Sequence, residues 1–340
     1  MILRRTQGSN RSPPTYLVVG LTNLCTTTCR FCYRRDLDLE PRFLPFNRYK
    51  LVVDELGPHL RELEFSGIGE PLLHKGFEEF ASYARQKYSD HQLRLGLVSN
   101  GALLNADKID FLLEQRFSYV WFSLNAATST THAKVMPGLS FRQIVDSIQQ
   151  LIKKRNTMHP RIPSVRVSFV VTKDNYFETE DFVDLAEDLG AESITITCVD
   201  PVLQPEIREQ QGVSRPEFES TLERIESRAK SSKRINVAPR WVFWPEVYKP
   251  PNRERASSIC CGNADSVFGV YFTSGEVTFC CYMAAEIERS ENCLGNIYGS
   301  RALDVWNGPR ATSFVKSMKD VRSAPDICKR CLNYWNKYWR

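Results

Sequence analysis

The chain has 340 residues, 42% hydrophobic and 25% charged; this excludes a disordered or low-complexity protein and is enough for one large barrel or a barrel with a smaller companion. Its 45 Lys and Arg against 40 Asp and Glu leave a net charge of +5 spread along the chain, too mild to imply nucleic acid. The longest apolar runs are strand-length, far below the ~20 residues that span a bilayer, and eleven cysteines, an odd number, fit a disulfide framework poorly and point to metal ligation.

Residues 1–15 carry charge but lack the apolar stretch and cleavage site of a secretory signal, so they read as the tail of a cytoplasmic protein. From residue 16 to about 199, short β-branched or aromatic runs alternate with longer amphipathic stretches, the pattern of repeated βα units. Strands are predicted at 16–21, 63–67, 93–100, 119–125, 165–172 and 193–199. Helices are predicted between them at 47–56, 76–88, 106–115, 140–154 and 178–189, with Asn105 and Ser140 as N-caps. The fold class is therefore α/β: a partial (β/α)6 TIM-like barrel over 16–215, whose site lies at the C-terminal strand ends. A charged amphipathic stretch opens a proline-interrupted connection over 216–254, and a smaller, cysteine-rich α+β domain is expected over 255–340.

Cys25, Cys29 and Cys32 directly follow the first strand with three and two residues between them. A loop so spaced can place three thiolates around an iron–sulfur cube and leave the fourth iron without a protein ligand. The alternatives are a structural zinc site, which wants four closed ligands, and unrelated buried thiols.

In these residues the chain resembles the radical S-adenosylmethionine superfamily, whose signature is CxxxCxxC with an aromatic commonly beside the last Cys, as Tyr33 is here. The resemblance extends to Gly67, Gly69, Glu70 and Pro71, similar to the family's GGEP turn with Ile68 in the pattern, which it implies meets the methionyl amino group. It extends further to LVSNG, where Ser99 and Asn100 are implied as ribose contacts, and to the segment from Ser123 to Gly138, similar to SLDG followed by HDRxRG. There Asn125 replaces Asp, Ala126 replaces Gly and Lys134 replaces Arg, so the implied carboxylate contact rests on a point charge without the bidentate fork.

The last third, with Cys260, Cys261, Cys280, Cys281, Cys293, Cys328 and Cys331, resembles the same superfamily's auxiliary-cluster domain, called SPASM or, when reduced to one cluster, twitch. FGVYF and VTFCC read as a hairpin with cysteines at its base. The resemblance implies Cys261, Cys280, Cys328 and Cys331 as ligands, with Cys260 the rival of Cys261 and Cys281 of Cys280; a zinc knuckle is the alternative. Trp306, Trp335 and Trp339 read as packing around that domain.

Two 4Fe-4S clusters and S-adenosylmethionine are thus the implied cofactors, with a flavodoxin- or ferredoxin-type electron donor, no nucleic acid and no membrane. The implied chemistry is reductive cleavage of the sulfonium to a 5′-deoxyadenosyl radical, followed by hydrogen abstraction. Dehydrogenation and epimerisation both suit the cysteines, and Cys198 at a strand end and Cys281 are candidate hydrogen donors. With only 15 residues before the first strand, a small polar substrate such as an amino sugar or cyclitol is favoured over a peptide. A zinc-stabilised binding protein without catalysis is the reading from another class.

Overall fold

The computed structural model describes residues 11–37, 40–88, 93–159, 161–199, 205–237, 261–287, 290–318 and 323–330. Six parallel strands lie where the periodicity places them: β1 (Tyr16–Val19), β2 (Glu62–Phe65), β3 (Arg94–Ser99), β4 (Tyr119–Ser123), β5 (Ser164–Val171) and β6 (Ser193–Cys198). Two more complete an eight-stranded sheet of order β7-β6-β5-β4-β3-β2-β1-β8, with β7 at Ile235–Val237 and β8 at Val267–Val270. Among the described residues the sheet is open, with β7 and β8 as its edges.

Strand parity divides the sheet into two faces. In β5, Val165, Val167, Phe169 and Val171 are at most 1% exposed, packed toward the surrounding helices, whereas Ser164, Arg166, Ser168 and Val170 alternate with them, half-buried on the inner face. Parallel sheets covered on both faces read as continuous apolar runs. Here the inner face carries Glu62, Glu64, Arg94, Ser123, Thr195 and Thr197, so the lumen is a polar chamber and not a packed core.

The helices α1 (Phe46–Leu56), α2 (Phe77–Lys87), α3 (Ala106–Glu114), α4 (Ser129–Val135), α5 (Phe141–Met158) and α6 (Thr179–Asp188) fill the connections. The two expected caps form: Asn105 Oδ1 accepts from Lys108 N at 3.0 Å and Ser140 Oγ from Gln143 N at 3.3 Å. The charged helix α8 (Arg215–Ser231) also forms, behind Ser214 and its capping box with Glu217. Sequence periodicity missed α4, α7 (Pro205–Gln211) and β7, each too short to establish a period.

The expected C-terminal hairpin takes another form. Its first strand, β8, leaves the small domain to pair in parallel with β1, Tyr16 opposite Val267 through Val19 opposite Val270. Only a bridge between Gly269 and Thr278 links it to the return strand, and β9 (Glu276–Val277) pairs instead with β10 (Gly295–Asn296). Helices α9 (Gly262–Ser266), α10 (Cys281–Ala285), α11 (Ala302–Trp306), α12 (Pro309–Ser317) and α13 (Asp326–Arg330) complete this unit. Its core around Trp306, Phe279 and Phe314 is continuous with that of the barrel. Trp306, 1% exposed, packs as expected, while Trp335 and Trp339 lie outside the described residues.

Residues 11–15, expected as tail, bind the C-terminal unit. Arg11 lies over the Trp306 ring at 4.0 Å, donates to Trp306 O at 3.1 Å and to Ala264 O, and Trp306 Nε1 returns a bond to Ser12 O at 2.8 Å. Removing the guanidinium forfeits a cation–π contact and leaves carbonyls unpaired, about 1–3 kcal/mol. Arg11→Ala is expected to lower the unfolding free energy by that amount, read as a lower urea midpoint at unchanged m-value; an unaltered midpoint would show that the clasp bears no load.

Candidate functional site

The cysteine loop leaves β1 and is held from three directions. On one side Thr22 Oγ1 donates to Arg42 O at 2.9 Å and Arg42 N to Asn23 Oδ1 at 2.9 Å. On another, Thr27 Oγ1 donates to Pro137 O at 2.9 Å and Arg30 N to Val135 O at 3.2 Å. From the third, Glu70 N donates to Leu24 O at 2.7 Å, an approach so close that a Cβ at Gly69 would strike the carbonyls of Thr22 and Leu24.

Cys25, Cys29 and Cys32 are half-buried, and no described cysteine is in a disulfide. Burial, together with the neighbouring Cys32 and Cys25, pushes the Cys29 thiol up to about 12; burial raises Cys25 and Cys32 as well. Three converging thiols so costly to ionise on their own fit a cationic iron–sulfur core. Among the described residues no three His, Cys, Asp or Glu side chains stand close enough to hold a single metal ion. Three thiols with no fourth Cys or His in the loop suit a cluster that leaves one iron without a protein ligand, whereas a structural zinc wants four closed ligands.

Glu70 organises the neighbouring strand ends. Its buried carboxylate accepts from Ser99 Oγ at 2.8 Å, Asn100 N at 2.8 Å and Leu72 N at 3.2 Å. Burial raises its pKa and these three donors oppose the rise. Asn100 in turn donates from Nδ2 to Thr26 Oγ1 at 2.9 Å and approaches Cys25 Sγ at 3.6 Å, while its Oδ1 accepts from Ala102 N. Glu70, Ser99 and Asn100, expected as cofactor contacts, form one hydrogen-bonded group that reaches the cysteine loop through Asn100.

Asn125 ends β4 with φ +57°, a left-handed conformation that Asn tolerates. Its Oδ1 accepts from Val170 N at 2.9 Å and its Nδ2 lies 3.3 Å from Met136 Sδ. Lys134 pairs with Asp174 at 2.8 Å, and Arg30 approaches the same carboxylate at 3.2 Å. Of the polar side chains expected at the cofactor, Ser123 alone has no hydrogen-bond partner among the described residues; it is half-buried at the lumen end of β4. Gly67 and Pro71 shape the turn around Glu70.

Two supports were not singled out from sequence. Glu178 accepts from Ala127 N at 2.8 Å, Thr128 N at 3.2 Å and the hydroxyls of Thr128 and Thr131 at 2.5 Å each, fixing the start of α4. Asn175 donates to Asn125 O and Val170 O, both at 2.9 Å. Both sit in TKDNYFE, a polar run at the C-terminal end of β5, and that position is the signal that could have found them.

The auxiliary cysteines approach the same mouth. Cys261 and Cys280 immediately precede α9 and α10, and Cys328, 8% exposed, lies in the continuous core on α13. Cys331 and Cys260 lie outside the described residues. The Tyr33 phenol, raised well above its ordinary pKa by burial, also feels Cys281, Cys32 and Cys280. One tyrosine therefore stands between the two cysteine groups. Cys198 shares its parity with Ile194 and Ile196 and packs against the main core on the helix side. Cys281 is exposed and lies near Tyr33 and Tyr271.

The radical SAM superfamily model matches residues 19–186, and the SPASM iron–sulfur cluster-binding domain model matches residues 261–332. The chain belongs to the radical SAM superfamily and carries a C-terminal SPASM domain; its cofactors are 4Fe-4S clusters and S-adenosylmethionine. It is 24% identical over 333 residues to the antilisterial bacteriocin subtilosin biosynthesis protein AlbA of Bacillus subtilis, covering 96% of this chain and 66% of that protein. It is 24% identical over 196 residues to the tungsten-containing aldehyde ferredoxin oxidoreductase cofactor-modifying protein of Pyrococcus furiosus, covering 57% of this chain and 54% of that one. These matches span about half to two thirds of the relatives' own length. In fold it resembles Streptococcus suis SuiB, solved bound to precursor peptide SuiA, with TM-score 0.68 at 14% identity over 95% of this chain and 71% of that one. No helix among the described residues is long and apolar enough to cross a membrane.

Glu70→Ala would leave three buried donors unpaired, about 3 kcal/mol or more. A lower melting temperature together with iron below the wild-type content is expected, and normal values for both would refute the supporting role of Glu70. His132, fully buried with neither ring nitrogen bonded among the described residues, is held down to about 4 by burial. The unfolded chain then binds more protons between about pH 4 and 6.5, so stability falls as the solution is acidified through that window. Between pH 7 and 5 the wild type should lose about 2 kcal/mol more than His132→Leu, read by urea denaturation at each pH.

Proposed function

We propose that the protein is a peptide-modifying radical SAM enzyme. The observation that carries this reading is the correspondence with AlbA, which runs through both domains and nearly the whole chain. It replaces the small-metabolite preference, which rested on the shortness of the segment before β1. The lumen supports it: Trp121, Ser123, Ser168, Thr195 and Thr197 on β4 to β6 are half-exposed, giving an extended backbone hydroxyl partners along one open side.

The chain's own residues divide the work. The thiolates of Cys25, Cys29 and Cys32 hold the first cluster, Asn100 holds the loop beside Cys25, and Ser123 offers an uncommitted hydroxyl. Bound at the open iron, S-adenosylmethionine supplies, on one-electron reduction, a 5′-deoxyadenosyl radical that takes hydrogen from carbon. A flavodoxin- or ferredoxin-type donor delivers that electron. Cys261, Cys280, Cys328 and Cys331 hold the auxiliary cluster beside Tyr33. Exposed Cys281 is our candidate to return a hydrogen atom; without such a return the outcome is a two-electron oxidation.

Anaerobically reconstituted enzyme offered separate peptide and small-metabolite fractions should form 5′-deoxyadenosine above background with the peptides. Stimulation confined to the metabolites would overturn the reading. Cys25→Ala, Cys29→Ala and Cys32→Ala should each abolish that product, and solvent deuterium at a product carbon in D2O separates hydrogen return from oxidation.

A further inference from the structure

The charged side chains on the inner face of the described strands are four. Glu62 is paired with Arg94 at 3.4 Å and accepts from Tyr119 Oη at 2.7 Å. Glu64 lies 2.5 Å from Tyr119 Oη and is also bonded by Tyr16 and Ser66. The Tyr119 ring reaches them by crossing β3 over Gly96, where a Cβ would strike the ring. Arg166 is different.

Arg166 stands opposite Trp121 on β4 and Ser193 on β6. Its guanidinium carbon lies 4.0 Å from the Tyr119 ring centroid and 6.0 Å from that of Trp121. It forms no hydrogen bond and no ion pair with any described residue. Cation–π contact engages the face of a guanidinium and leaves its in-plane N–H donors unspent. Tyr119, 1% exposed and bonded to two carboxylates, is a fixed platform beneath it. The group is thus pre-oriented and half-buried, with no direct ion pair among the described residues, while Glu62 and Glu64 lie on the far side of the Tyr119 ring at its hydroxyl.

We propose that Arg166 anchors a carboxylate of the substrate, gripping it through the guanidinium fork with Trp121 alongside. A monoanion matches the one inner-face guanidinium that forms no ion pair with a described residue; a phosphate dianion would bring excess negative charge near Glu62 and Glu64. The inference rests on the lumen being the substrate chamber and gives the proposed peptide an acidic side chain or a free C-terminus.

Saturation-transfer NMR on the full chain, reconstituted and with S-adenosylmethionine, tests it with four probes: acetyl-glutamic acid amide, acetyl-glycine, neutral acetyl-glutamine amide and inorganic phosphate. One or both carboxylates should bind saturably in the millimolar range, the neutral amide at least fivefold more weakly, and phosphate should not displace them. Which carboxylate binds better separates a side chain from a chain terminus. Arg166→Gln should weaken the carboxylates at least fivefold, and Arg166→Lys should retain part of the binding. No saturable binding, equal binding of the neutral probe, displacement by phosphate, or unchanged binding in Arg166→Gln would overturn the anchor. Because no turnover is read, carboxylate binding without peptide-stimulated 5′-deoxyadenosine would refute only the peptide reading, and the converse only the anchor.

Discussion

The buried carboxylate of Glu70 is the constraint on which the radical site depends. A carboxylate taken out of water demands partners, and here they come from its own turn and from the end of β3, through Leu72, Ser99 and Asn100. The bond to Asn100 N fixes the residue whose side chain reaches Thr26 and Cys25. The bond from Glu70 N to Leu24 O fixes the same loop from below. A flexible cysteine segment thereby inherits the rigidity of three adjacent strands, as a cluster with one open iron requires.

Much of this architecture was legible because it obeys short-range rules. All six barrel strands were read within a few residues, and Asn105 and Ser140 cap where they were expected. What was not legible depends on partners distant in sequence. Asn125 and Lys134 read as altered cofactor contacts, and the sequence did not show that Asn125 ties the end of β4 to β5 or that Lys134 meets Asp174. Glu178 gave no motif, because four donors converge on it only after β4 and β5 lie side by side. For Cys198, being at the end of a strand does not say which face a side chain takes, and parity with Ile194 and Ile196 sets it against the core.

The same parity explains how one sheet serves two purposes. Its outer face is an unbroken apolar surface under the helices, and its inner face keeps polar groups half-wet. Polar groups there would be costly in a filled barrel. They are tolerable because the sheet stays open among the described residues, so these groups keep access to water. The SPASM domain does not close this chamber as a separate lid: β8 is hydrogen-bonded into the barrel, and Tyr33 stands beside thiols of both cysteine groups.

The pairing of β1 with β8 also governs the order of assembly. β1, which carries the cysteine loop, gains its second neighbour only from the last third of the chain, and Arg11 finds Trp306 across a separation of 295 residues. Contacts this distant carry a large loop-closure cost and form late. On the ribosome, the strand beneath the first cluster waits with one edge bare until the auxiliary domain has been synthesised. Iron delivered before then meets an unfinished cradle, so cluster loading belongs to the completed chain.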